Sequence, residues 1–126
     1  MDYREIGNSG IKVSSICLGT MNFSNPVSDE DSIKMLHWAL DHGINFIDTA
    51  DIYEGYDRVL CSPGGKAESI IGAGLKEKRK QAIITTQVGN SEGGSSYEGA
   101  GLGQKHITHQ INALIQMMAS TRRNFR

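Results

Sequence analysis

The chain has 126 residues, room for one domain and not for two. A formal net charge of -1 supplies no field for nucleic acid or an anionic membrane, and no apolar run approaches the roughly 18 residues that span a bilayer. The two cysteines, Cys17 and Cys61, make neither a disulfide framework nor a zinc spacing, and Met1 to Ile6 lacks a signal peptide's apolar core, so a cytoplasmic protein is the expectation.

Tyr3 to Ile6 and Ile11 to Val13 flank Gly7-Asn8-Ser9-Gly10, which reads as a small hairpin. Ser15 to Leu18 follows as a short buried strand with Cys17 as a small core residue, and it exits into Gly19-Thr20. A glycine at a strand exit lets the backbone approach a ligand, although a plain turn uses the same residue. Ser28-Asp29-Glu30-Asp31 resembles a capping box, with Asp31 where Glu or Gln is usual. Ile33, Leu36, Ala39 and Leu40 then recur at helical spacing until Gly43 closes the helix, with His42 suited to the last turn.

A second strand, Asn45 to Thr49, carries Asp48 at its exit, and Tyr53 stands on the loop beyond. That loop, residues 51–65, also holds Tyr56, Cys61 and Pro63; Asp51 within it is expected to hydrogen-bond its own turn. The second helix starts near Lys66, faces inward with Ala67, Ile70, Ile71 and Leu75, and closes on Lys76 to Lys80. Ala82 to Val88 reads as a third strand. Residues 89–103, rich in glycine and serine, read equally as a substrate lid or as disorder. The last helix, 104–120, presents Ile107, Ile111, Leu114, Ile115 and Met118 as one apolar stripe, and its His106 and His109 read as a solvated face rather than a metal site. Met117 and Met118 read as core and helix-end residues, and Arg122, Arg123 and Arg126 as a solvated terminus.

A hairpin followed by three strand–helix pairs implies parallel strands. A doubly wound nucleotide fold would show a glycine fingerprint or phosphate loop after the first strand, and Gly19-Thr20-Met21-Asn22-Phe23 is neither. The fold class expected is therefore α/β, a (β/α) barrel built from its N-terminal end. Barrels of this type run from about 200 residues upward.

Several motifs in sequence carry a resemblance. Leu18-Gly19-Thr20-Met21, Gly43-Ile44-Asn45-Phe46-Ile47-Asp48-Thr49-Ala50, Tyr53, Glu68-Ser69-Ile70-Ile71-Gly72, Ile84-Thr85-Thr86 and Lys105-His106-Ile107 together resemble the N-terminal part of the aldo-keto reductases, over roughly residues 2–115. The loop from Ala50 to Glu68 is longer than the family's usual one. The resemblance implies a (β/α)8 TIM-barrel type of which residues 1–126 hold only the N-terminal hairpin and the first three βα units, NADPH as cofactor, and reduction of a small aldehyde or ketone by a set of Asp, Tyr, Lys and His.

Asp48 and Tyr53 match the first two of that set, and Gly19, Thr20 and Asp48 carry over as cofactor-side positions. Hydride attack builds charge on the carbonyl oxygen, so a proton donor must stand beside it. Free tyrosine, with a pKa of about 10, needs a nearby cation to serve near neutrality. Here the lysine position is Gln87, in Thr85-Thr86-Gln87-Val88-Gly89, which carries no charge. The fourth strand and its histidine are not in the sequence, and the expectation is a reductase represented only by its N-terminal part. The alternative is a non-catalytic interaction or regulatory fragment that associates through its open sheet edge, as a homo-oligomer or with another chain.

Overall fold

The computed structural model describes residues 1–55, 64–89 and 101–120, without the side chains of 118–120. Expectations placed on Tyr56, Cys61, Pro63, Met118, residues 90–100 and the terminal arginines lie outside that description.

The chain opens with an antiparallel hairpin, β1 (Tyr3–Glu5) and β2 (Lys12–Ser14), registered Tyr3 to Ser14. A parallel sheet follows: β3 (Cys17–Gly19), β4 (Phe46–Ala50) and β5 (Ile83–Gln87), in the order β3-β4-β5. Gly19 lies opposite Asp48, and Asp48 opposite Thr85. Across these three strands the order follows the chain, as in a barrel, and shows no reversal of the kind that marks a doubly wound sheet's switch point.

Helices α1 (Asp29–Asp41) and α2 (Lys66–Gly74) make the crossovers, and α3 (Gln104–Ser120) follows β5. Period-2 alternation divides β4 between two faces. Ile47 and Thr49 are fully buried, while Phe46 and Asp48 are only half-buried. Ile47 joins Leu36, Ile71, Leu75 and Phe23 in the core between sheet and helices. Burial of each such side chain contributes about 1.5–3 kcal/mol. On the opposite face Cys17, Gly19 and Gln87 are exposed.

Asn45 joins the hairpin to this sheet. Its Oδ1 accepts from the Ser14 amide at 2.7 Å and its Nδ2 donates to the Lys12 carbonyl at 3.1 Å. The expected cap of α1 is present: the Asp31 amide donates to Ser28 Oγ at 3.1 Å. Its carboxylate, shorter than a Glu, accepts from the Ser28 hydroxyl at 3.0 Å. Gly43 closes the helix at φ +82°, and the His42 ring stacks on Trp38 with centroids 3.9 Å apart.

Three expectations are corrected. Cys17 is exposed, because it points to the face that no helix covers among the described residues. The second helix ends at Gly74, followed by a turn and a single 3₁₀ turn, Arg79–Gln81, so its cations do not sit in a last α-helical turn. At that end α1 and α2 meet closely: a Cβ on Gly74 would stand 3.0 Å from Leu36 Cδ2.

The third concerns α3. It packs on α2 with His106 and Gln110 buried, while Ile111 and Ile115 are 43% and 57% exposed. Its apolar stripe therefore turns away from the face that α2 covers. His106, expected in solvent, is 4% exposed, and its Nε2 has no hydrogen-bond partner among the described residues.

Candidate active site

The carboxyl ends of β4 and β5 bring together the residues expected to carry chemistry. Gln87, the last residue of β5, lies diagonally across the pairing from Asp48, two residues on from Thr85. Its carboxamide nitrogen donates to both Asp48 oxygens, at 3.2 Å to Oδ1 and 3.0 Å to Oδ2, and reaches Tyr53 Oη at 3.4 Å. Asp48, Tyr53 and Gln87 thus form one hydrogen-bonded group. The amide occupies the bridging place between carboxylate and phenol, without a charge.

A fourth member escaped the sequence reading. Thr85 Oγ1 donates to Asp48 Oδ1 at 3.1 Å, and also lies 3.4 Å from the Ile47 carbonyl. The signal was available, because two-residue alternation puts Thr85 on the same sheet face as Gln87. Thr86, on the other face, donates to Glu68 Oε1 at 2.6 Å and so ties β5 to α2.

Backbone contacts set these side chains in place. The Asp48 carbonyl accepts from the Thr20 amide at 3.1 Å and from its hydroxyl at 2.9 Å. Thr20 is fully buried and fixes the exit of β4. Gly19, its neighbour, has nothing within 4 Å of where a Cβ would stand. The Tyr53 amide donates to the Ala50 carbonyl at 3.1 Å, and its own carbonyl accepts from the Ala67 amide at 2.9 Å. Asp51 is buried; its amide donates to the Gln87 carbonyl at 3.1 Å, linking the two strand exits.

No cation lies in ion-pairing range of Asp48 among the described residues. The uncompensated charge is felt at Cys17 on the same face. Although the residue is exposed, partial desolvation of its sulfur pushes the Cys17 thiol up, the negative charge of Asp48 adds to the rise, and a hydrogen bond with the Asp48 backbone partly opposes it. His106 and His109 join no group of three or more metal-ligating side chains among the described residues.

Parallel βα winding with its polar side chains gathered at the strand exits defines a protein of the (β/α)-barrel class. The model of the Aldo/keto reductase family matches residues 15–122 of this chain. Two solved structures described as aldo-keto reductases from Pseudomonas aeruginosa superpose with TM-scores of 0.72 and 0.71, at 27% and 25% sequence identity. Each covers 93% of this chain, which spans 41% and 42% of theirs. The chain belongs to the aldo/keto reductase family, and its fold is the corresponding part of a TIM barrel.

Proposed function

We propose that this corner belongs to an NADPH-dependent oxidoreductase acting on small aldehydes or ketones, with proton transfer impaired by Gln87. The observation that carries the reading is the Asp48–Gln87–Tyr53 group at the strand exits. The open space over Gly19, beside Asp48, fits a flat cofactor ring; Gly19 and Asp48 would border it, with Thr20 holding the strand exit in position. When bound, the nicotinamide supplies the hydride.

The chain's own residues supply recognition of the carbonyl. The Tyr53 hydroxyl is the donor to its oxygen, Asp48 orients Gln87, and Gln87 orients Tyr53. What the amide does not supply is positive charge beside the phenol as negative charge develops on the substrate. Acid–base assistance is typically worth about 10²–10⁴-fold in rate.

Carbonyl-dependent NADPH oxidation is to be measured with a panel of small aldehydes for the natural chain and for Gln87→Lys. The expected result is a rate for Gln87→Lys higher by up to about 10²–10⁴-fold. Equal rates would remove the role assigned to position 87, and absence of NADPH binding by both proteins would remove the enzymatic reading.

A second reading is supported by a separate observation. Among the described residues the parallel sheet carries helices on one face only, and the outer edge of β5 has no partner strand. On this reading the chain is a non-catalytic fragment that associates through its open sheet, as a homo-oligomer or with another chain.

A further inference from the structure

We infer that the corner, as it stands with Gln87, selects carboxamides over ketones and aldehydes of the same shape. The inference rests on the reading of Tyr53 and Gln87 as a carbonyl-recognising pair and adds which carbonyl compounds it prefers.

An ionised carboxylate only accepts hydrogen bonds, so the Gln87 group facing Asp48 must be the amide NH₂ and not the oxygen. Thr85 Oγ1 holds Asp48 from one side at 3.1 Å, and Gln87 Nε2 spans both carboxylate oxygens. The same nitrogen reaches Tyr53 Oη at 3.4 Å. Both hydrogens of the NH₂ group are therefore committed, one to the carboxylate and one to the phenol oxygen.

Two consequences follow at the exposed surface of the site. The Tyr53 oxygen accepts from Gln87, so its own proton is free to be donated to a ligand. Gln87 Oε1 accepts no hydrogen bond among the described residues, and Gln87 is exposed. The pair thus presents one donor and one acceptor on two hydrogen-bonded side chains. A lysine in the same place would present donors alone.

A ketone or aldehyde can satisfy only the donor and leaves Oε1 facing an apolar substituent. A primary or secondary carboxamide satisfies both: its carbonyl accepts from Tyr53 and its N–H donates to Gln87 Oε1. A matched hydrogen bond contributes about 0.5–1.5 kcal/mol, and a polar site rejects the analogue that lacks the complementary group. Binding, with no change of bonds, is all that is assigned to the amide.

The test uses benzamide and acetophenone, which differ by NH₂ against CH₃ on the same carbonyl. Each is titrated into the natural chain while the Gln87 side-chain amide and Tyr53 ring signals are followed by NMR. Benzamide is expected to bind about 2- to 10-fold more tightly than acetophenone, the range one extra hydrogen bond provides. In Gln87→Lys that preference is expected to vanish, and in Tyr53→Phe both ligands are expected to weaken together.

Equal affinities in the natural chain, or a benzamide preference that survives in Gln87→Lys, would overturn the amide preference and leave carbonyl recognition standing. If neither ligand perturbs Gln87 or Tyr53, both fall. Position 87 is exposed, so its replacement leaves the core between sheet and helices intact.

Discussion

The electrostatic state of the corner can be read through Cys17. Its thiol is pushed up first by burial and then by the Asp48 charge, so it stays protonated at neutral pH and reacts slowly as a nucleophile. Removing the charge removes only the second cause. In a Cys61→Ser background, Asp48→Asn is expected to shift the pH midpoint of Cys17 alkylation by iodoacetamide downward and to speed the reaction near pH 7. Gln87→Lys should act in the same direction, because an ammonium beside Asp48 offsets its field. A midpoint unmoved by either substitution would mean that Cys17 does not sense the Asp48 carboxylate.

Among the elements, α1 and the turn after α2 are joined at the surface by Lys78 Nζ, 2.5 Å from Asp41 Oδ1. That hydrogen bond holds the Asp41 carboxyl below the usual carboxylate range. A carboxylate depressed in the folded state contributes stability above its unfolded pKa of about 3.9, and loses it as pH falls through the folded value. The stability difference between the natural chain and Lys78→Met, from urea melts, should therefore be present at pH 7 and narrow as pH drops below about 4. A gap constant with pH would show that the pair contributes nothing through its charge.

The elements also show what a sequence can disclose. The capping residue Ser28 and the glycine at 43 were legible because they act on their own backbone within a few residues. The motifs singled out Asp48, Tyr53 and Gln87, and in the structure Asp48 and Tyr53 each lie within hydrogen-bond reach of the Gln87 amide. The inward face of α3 was not. Periodicity located an apolar stripe through Ile111 and Ile115, but it cannot say which face a neighbouring helix covers, and α2 covers the one with His106 and Gln110. Cys17 failed for a related reason: apolar neighbours along a strand do not reveal which of its two faces is covered.

Across the whole molecule, the asymmetry of the sheet dominates. Helices bury Ile47 and Thr49 on one side, while Cys17, Gly19 and Gln87 face outward on the other. A parallel sheet is normally covered on both faces, and an unpaired edge is a template for another strand. The associating reading accordingly expects a molecular mass by light scattering that rises with concentration. A single monomeric mass at all concentrations would set it aside.

The position of β4 between its two parallel neighbours has a kinetic corollary. In hydrogen-exchange terms, strands with partners on both sides open last and edge strands fray first. Amides of Ile47 to Thr49 are expected to outlast those of β5 in deuterium, since β5 has β4 as its one partner among the described residues. The two halves of the Asp48–Gln87 contact would then have unequal lifetimes. The carboxylate stays on the strand that persists, and the amide leaves with the strand that frays.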